Sequence, residues 1–264
     1  MARTHVHRLP KETHSLPNQI PSIRSFKDES LRHPRMPGTS PNHVIAYWLK
    51  RDIVRGVFRP NERLKLDILT DFYGAGLSPV REAVLFLAAG GLVVHEHQKG
   101  HRVANVSLAD YRDTLHVYDR IRRLALATAM ERGDDAWEEA VLVQLHRSKK
   151  VPHVLPCEDH EGRERWQRAY MDFYEILIGG CRSPLLIEYY SDLVARAERY
   201  INLFADQTSD HERDHAAEHT AIVEAMLERD HQRLNTLLDE GSERSKNMRT
   251  STIVTLQQLE GTAS

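Results

Sequence analysis

The 264-residue sequence lacks the features of several protein classes. It has only two cysteines, Cys157 and Cys181, which are too few and too far apart for a disulfide framework or a thiolate metal site. Its longest uncharged apolar run, from Ala83 to Val94, is well short of the roughly 20 residues that span a bilayer, and no apolar signal core stands at the amino terminus. These absences predict a cytoplasmic protein that has no membrane contact.

A net charge of one sign is also missing, because 36 Lys and Arg nearly balance 38 Asp and Glu. The charges are nevertheless segregated along the chain. Residues 1–104 carry 16 basic and 9 acidic side chains, whereas residues 105–264 carry 20 and 29. A basic front on an acidic body indicates that the amino-terminal part meets a polyanion while the rest has another role.

Residues 41–104 have the pattern of three short helices followed by a two-stranded hairpin. Gly56 ends the first helix. Ser78 is predicted to cap the third helix, with Pro79 at its first position, where the missing N–H costs nothing. A polar tip at residues 95–101 separates the two strands. This order of elements predicts a winged helix-turn-helix.

The rest of the chain gives a mostly α protein. Residues 1–40 hold five prolines and no apolar periodicity, which predicts a flexible basic tail. Residues 107–250, starting at the N-cap Ser107, predict an all-α bundle of about six helices, and residues 251–264 a carboxy-terminal tail. The expected helices run over 108–132, 135–148, 158–179, 184–205, 211–228 and 231–250.

The third helix and the hairpin tip carry side chains that suit DNA. A helix reads the major groove through donors on its exposed face, and its amino end adds partial positive charge. Arg81 is placed to contact guanine or phosphate, and Ser78 to contact phosphate. Contacts from the hairpin tip to an adjacent groove are expected from Gln98, Lys99, Gly100 and His101.

Residues 56–103 resemble the GntR-type winged helix. The sequence GVFRPNERLKLDILTDFYGAGLSPVREAVLFLAAGGLVVHEHQKGHRV is similar to the family pattern G-x-x-x-P-G-x-x-L, a short helix, S-R-x-P-V-R-E-A-L, E-G-L-V and R-G-x-x-V. The resemblance implies that Arg81 is the second recognition arginine of the family. It also implies that Lys99 and Gly100 stand at the tip of the wing, where Arg-Gly is usual.

Three positions depart from this family pattern. Leu77 stands where the family has its first recognition arginine, and Leu85 and Phe86 replace a basic pair. The loss of these charges weakens the attraction to phosphate and shifts binding onto Arg81, the wing and the basic tail.

The helical part resembles the carboxy-terminal FCD-like domain of the FadR subfamily, in which an Asp and three His hold a metal ion. At the matching positions only His219 is retained, because Tyr170 replaces the Asp, Tyr174 the first His and Gly241 the last. Closed Zn²⁺ or Ni²⁺ sites need three or four protein ligands. The sequence therefore predicts a pocket without metal or other cofactor.

The side chains that replace the metal ligands suit an anion. Tyr170 and Tyr174 lie one helical turn apart and, with His219, offer donors to an oxyanion. By resemblance, Arg122 matches the arginine that the family places in its ligand pocket, and Arg199 is a second candidate. An arginine inside a bundle needs an anionic partner, so we expect a small carboxylate effector.

Two other interpretations of these residues stay open. A relocated metal site could use His211, His215 and His219, although three side chains stacked along one helix do not easily converge on one ion. Arg122 could instead form an internal ion pair with an acidic side chain such as Asp172.

These features predict a ligand-responsive transcription regulator that binds a palindromic operator as a homodimer. The family resemblance implies a repressor released by its ligand. A metal-binding helical sensor or an enzyme is an alternative, although the sequence has no phosphate loop and no nucleophile elbow. A winged-helix adaptor that binds protein is a third possibility, favoured by the missing charges at Leu77, Leu85 and Phe86.

Overall fold

A computed structural model describes residues 40–153, 160–203 and 213–262. Over these residues the chain forms ten α-helices and three short strands. The helices are α1 (Pro41–Val54), α2 (Leu66–Tyr73), α3 (Leu77–Ala89), α4 (Leu108–Arg132), α5 (Asp135–Ser148), α6 (His160–Gly179), α7 (Pro184–Leu203), α8 (His215–Leu227), α9 (His231–Arg244) and α10 (Lys246–Thr262). The strands are β1 (Arg63–Leu64), β2 (Val93–Glu96) and β3 (Gly100–Val103).

The first three helices and the strands form the amino-terminal head. Helices α1 and α3 pack through fully buried aliphatic side chains such as Leu49, Val80 and Val84. The sheet is antiparallel in the order β1-β3-β2, so the hairpin predicted as a wing gains a third strand. The sequence did not reveal β1, because two residues are too short to display an alternating pattern.

The two predicted helix caps had different outcomes. Ser107 caps α4 as expected, since its Oγ accepts a hydrogen bond from the backbone N–H of Asp110 at 3.1 Å. The prediction for Ser78 was wrong. Helix α3 begins two residues earlier than predicted, at Leu77 after the extended Gly76, and the Ser78 hydroxyl instead donates to Glu82 Oε1 at 3.3 Å.

Helices α4 to α10 form the carboxy-terminal body. The mostly α fold class is confirmed, but the body has seven helices within the described ranges where about six were expected. The predicted tail at 251–264 was wrong, since α10 extends to Thr262. Leu256 anchors α10 because it is almost fully buried against Tyr111 and Tyr200.

Some predictions cannot be compared with the structure. The predicted basic tail, apart from its last residue, and Cys157 lie outside the described residues, while Cys181 is buried in the body core. None of the helices in the described ranges is both long and apolar enough to cross a bilayer.

Helix α7 joins the head to the body. Its residues between Asp192 and Asn202 contact α1, the turn after α3 and the segment that leads into α4. We call this set of polar contacts the junction. It comprises Lys50 Nζ to Asp192 Oδ1 at 2.9 Å, Arg196 Nη2 to the Gly90 carbonyl at 2.9 Å, Asn202 Nδ2 to the Val54 carbonyl at 3.0 Å, and Arg199 Nη2 to the Ala104 carbonyl.

Candidate DNA interface and ligand cavity

Helix α3 presents one buried face and one exposed face. Its periodicity places Val80 and Val84 in the head core and leaves Ser78 and Arg81 exposed. Arg81 makes no ion pair with any residue of the described ranges, so its guanidinium is available to an external anion. Ser78 is less available than the sequence suggested, because Glu82 accepts its hydrogen bond.

The wing tip is a tight turn between β2 and β3. Its backbone is closed by the Lys99 N–H, which donates to the Glu96 carbonyl at 3.1 Å. Gln98 and Gly100 both have a positive φ, of 61° and 87°. Gln98 and Lys99 are exposed, and open space surrounds the position that a Cβ on Gly100 would take. The tip can therefore approach another molecule closely.

His101 lies behind the tip, on β3. Its ring faces that of His95, with centroids 4.8 Å apart, and it is only partly exposed. Burial and the neighbouring His95 lower the pKa of His101, which favours the neutral imidazole. His101 is thus poorly placed to carry positive charge to a phosphate.

The body contains a cavity of about 210 Å³. Helices α4, α6, α7, α8 and α9 build most of its wall. Five of the nine tyrosines of the chain reach it, and its charged groups are four arginines and two glutamates. The aromatic and charged lining residues are Tyr111, Tyr118, Trp166, Tyr170, Tyr174, Tyr190, His153, His215, Arg122, Arg213, Arg244, Arg249, Glu198 and Glu218.

Arg122 lies in this cavity wall, as predicted. Only 9% of it is exposed, and its guanidinium carbon lies 5.3 Å from the ring centroid of Tyr118. The alternative of an internal ion pair is confirmed, but the partner is Asp119, at 3.0 Å, and not Asp172, which is exposed. Asp119 also pairs with Arg123 at 2.8 Å, and the buried Nε of Arg122 has no hydrogen-bond partner in the described part of the chain. The charge of Arg122 is therefore only partly compensated.

Two phenols stand beside Arg122. The rings of Tyr170 and Tyr174 have centroids 5.0 Å apart, which confirms that residues one turn apart share a side of α6. Burial raises the pKa of both hydroxyls, so they remain protonated donors. Together with Arg122 they form a donor set that can hold an oxyanion.

His219 does not line this cavity, in contrast to the prediction. It lines an adjacent cavity of about 190 Å³, and the two cavities share His153, Trp166, Tyr170, Arg213 and His215. Its ring stacks on Phe173 with centroids 3.9 Å apart, and it is 5% exposed. Burial, and then the nearby His215, lower the pKa of His219 to about 3. It is therefore a neutral group.

Arg199 does not line the cavity, so that assignment was wrong. Its guanidinium donates to the Ala104 carbonyl in the junction. The cavity-facing side of α7 instead carries side chains spaced three and four apart, including Val194, Ala197 and Ile201. Arg199 lies on a different side of α7, and the helical period of the sequence predicts this position.

One cluster in the cavity wall was missed from the sequence. Glu218 pairs with Arg213 at 2.7 Å and with Arg244 at 2.6 Å, and Arg213 also donates to the Ser245 hydroxyl at 2.9 Å. Burial alone would raise the pKa of Glu218. The hydrogen bonds and charge of Arg213, together with the charge of Arg244, outweigh this effect and lower the pKa. The only indication in the sequence that Glu218 lies near the cavity was its position next to His219.

The side chains around His219 do not fit a metal centre. Over residues 40–153, 160–203 and 213–262, no group of three or more His, Cys, Asp and Glu is arranged to hold an ion. The rings of His215 and His219 are 6.4 Å apart, and His211 lies outside the described residues. The neutral phenols of Tyr170 and Tyr174 replace charged or imidazole ligands. The absence of a metal remains a prediction.

Comparison with known proteins separates the same two parts. Residues 42–103 match the family described as "Bacterial regulatory proteins, gntR family", and residues 113–241 match the FCD domain. The HTH-type transcriptional repressor GlaR of Escherichia coli is 32% identical, over 72% of this chain and 87% of its own length. The uncharacterized HTH-type transcriptional regulator BphR of Paraburkholderia xenovorans is also 32% identical, over 72% of this chain and 77% of its own.

Among solved structures, the chain resembles McbR/YncC of E. coli. The TM-score is 0.64, with 18% sequence identity, over 84% of this chain and 99% of that one. At this identity the likeness extends to the fold. The matched region is longer than either domain, so the likeness of fold includes both the head and the body.

Proposed function

Because the chain belongs to the gntR family of bacterial regulatory proteins and carries an FCD domain, it is a DNA-binding transcription regulator, and we propose that a small carboxylate bound in the body cavity controls its affinity for an operator. The observation that carries this proposal is Arg122. It is a buried cation whose acidic partner among the described residues, Asp119, also pairs with Arg123, and it lies beside two phenols in the cavity wall. A carboxylate would complete the neutralisation of its charge.

The ligand's body should be apolar. Apart from the polar groups around Arg122 and the cluster around Glu218, the lining consists largely of aromatic and aliphatic side chains. Ligand pockets commonly combine such a wall with a few fixed polar groups. Of the two cavity carboxylates, Glu218 is engaged in ion pairs and Glu198 accepts a hydrogen bond from the Gln167 amide at 2.8 Å, which supports binding in preference to catalysis.

The route from the cavity to the head runs through α7. Val194 and Ile201 face the cavity, while Arg196 and Arg199 of the same helix donate to backbone carbonyls of the head and its connector. A ligand that favours one position of α7 therefore changes the placement of the head. Such a difference in binding free energy between two states is what allosteric control requires.

We propose that the active form is a cytoplasmic homodimer on a palindromic operator. Two-fold symmetry in the protein then matches two-fold symmetry in the DNA. The relative GlaR is named a repressor, which supports repression relieved by the ligand as the direction of control.

The ligand proposal is tested by thermal shift with small carboxylic acids, each compared with its uncharged amide. Acids that bind should raise the melting temperature of the wild-type protein, since ligand at about 100 times its Kd adds roughly 2.7 kcal/mol of stability. Arg122→Ala or Tyr174→Phe should weaken this response and leave operator binding intact. Arg147→Ala, at an exposed arginine of α5, is the matched control and should respond normally.

Two results would contradict the proposal. Acids and amides that shift the melting temperature equally would exclude recognition by charge. A normal response in both Arg122→Ala and Tyr174→Phe would place the ligand elsewhere.

A further inference from the structure

The exposed face of α3 carries three large apolar side chains. Leu77 is 49% exposed, Leu85 52% and Phe86 63%, although α3 also has a separate, buried apolar face. Single exposed apolar residues are ordinary, but a group of them on one short helix marks a surface that meets another molecule. In a gntR-family regulator, α3 is the helix that meets DNA.

We propose that Leu77 is a specificity-determining residue that contacts the C5-methyl group of thymine in the major groove of the operator. The inference rests on the DNA-binding role of α3. It assigns a base contact to a position at which the side chain has neither a hydrogen-bond donor nor an acceptor.

The place of Leu77 in the helix supports this contact. It is the first residue of α3, and the amino-terminal residues of a recognition helix are those that reach base edges. Arg81 follows one turn later on the same side. Residues at i and i+4 have Cβ atoms roughly 6 Å apart, which is about two steps of the 3.4 Å rise along a DNA strand. Leu77 should therefore contact a base pair within about two steps of the one that Arg81 reads.

The chemistry of this end of α3 favours a methyl group as the target. The Ser78 hydroxyl and the Asn42 amide both donate to Glu82, at 3.3 and 2.8 Å, so these donors are engaged within the head. Arg81 and Leu77 remain. Arginine pairs with the N7 and O6 acceptors of guanine, whereas thymine is the base that offers an apolar group in the major groove.

Leu85 provides a control on the same helix. It is exposed to nearly the same extent as Leu77, but it lies eight residues further along α3. At 1.5 Å per residue this is about 12 Å from the amino end. Leu85 should not reach the base pair that Leu77 contacts.

The test begins with selection of the preferred operator from random duplex DNA by the full-length protein. Each thymine of that operator is then replaced in turn by uracil, which pairs identically but lacks the methyl group. At one position per half-site the Kd should rise about 4-fold, the value of one buried methyl group. Replacement in both half-sites should raise it roughly 15-fold.

The variants assign the effect to one side chain. Leu77→Ala should bind the thymine and uracil operators equally, whereas Leu85→Ala should keep the wild-type difference. A repeated selection with Leu77→Arg should change the preference at that base pair from T·A to G·C. Because Leu77 is exposed, the melting temperature of each variant should match that of the wild type.

The outcomes separate this inference from the proposed function. Operator binding that is indifferent to uracil at every position would overturn the methyl contact alone. Loss of the uracil effect in Leu85→Ala instead of Leu77→Ala would overturn the assignment to Leu77. Failure to select any DNA sequence would count against the regulator itself.

Discussion

Arg122 and the groups around it illustrate how a buried charge can serve a function. Keeping one cation among aromatic rings is costly unless it is paired, and the carboxylate that pairs with Arg122, Asp119, also pairs with Arg123, which has a second partner in Asp239. The sequence predicted Arg122 for this cavity through a family resemblance. It did not identify Asp119 as the partner, because many acidic residues lie within reach of a helix position and only the packing decides which one is close.

His219 makes the stability of the body sensitive to acid. Its folded-state pKa of about 3 lies below the value of about 6.5 expected for the unfolded chain. The unfolded chain therefore takes up a proton first, so that stability is complete above about pH 6.5 and falls as the pH drops towards 3. The slope is at most about 1.4 kcal/mol per pH unit.

The prediction is a comparison of chemical unfolding at pH 7 and pH 5. The wild-type protein should lose up to about 2 kcal/mol more of its free energy of unfolding than His219→Gln does over this interval. His146→Gln, at an exposed histidine of α5, should behave like the wild type. An equal loss in the wild type and in His219→Gln would show that His219 is protonated in the folded protein.

At the scale of elements, α7 contacts both the ligand cavity and the head. Residues that line the cavity lie along one side of α7, and residues of the junction lie along another side. The backbone hydrogen bonds of a helix are internal, which favours movement of neighbouring turns together. Under the proposed function, we expect a change at the cavity to reach the junction.

Arg196→Ala tests this coupling. The substitution removes the hydrogen bond from Nη2 to the Gly90 carbonyl, so ligand binding should still raise the melting temperature while the ligand-dependent change in operator Kd becomes about 5-fold smaller. Arg168→Ala, at an exposed arginine of α6, is the control and should retain the full response. An undiminished response in Arg196→Ala would show that this contact does not transmit the signal.

The elements that the sequence predicted are those with a strong local pattern. The long amphipathic helices of the body and the Ser107 cap follow from periodicity and from capping chemistry, which are local properties. Strand β1 and helix α10 depend on distant partners. β1 exists because it pairs with β3, and α10 because Leu256 packs against Tyr111 and Tyr200.

At the scale of the whole molecule, the segregation of charge matches the division of roles. Residues 105–264 carry 20 basic and 29 acidic side chains, so repulsion from phosphate should keep the body away from the duplex. The head, residues 41–104, has only 9 basic against 6 acidic residues. We therefore expect sequence-specific contacts from a few side chains, with Arg81 foremost, to act together with the basic side chains of residues 1–40.

The family and its DNA-binding role could be predicted from the sequence because they depend on a compact run of residues around Arg81. The ligand could not be identified in the same way. The cavity wall is built mostly by five helices distributed over the body, and residues such as Arg213 and Glu218 are brought to the cavity only by tertiary packing.

The most direct test of the central claim is the Kd for operator DNA, measured as salt is raised, for the wild type, Arg81→Ala and the control Arg147→Ala. The wild type and Arg147→Ala should bind specifically, with affinity that falls steeply as salt rises, because counterions are released from the DNA. Arg81→Ala should lose the specific component, which is worth about 1 to 3 kcal/mol for each guanine contact. Equal binding by all three proteins would contradict the assignment of α3 as the DNA-reading helix.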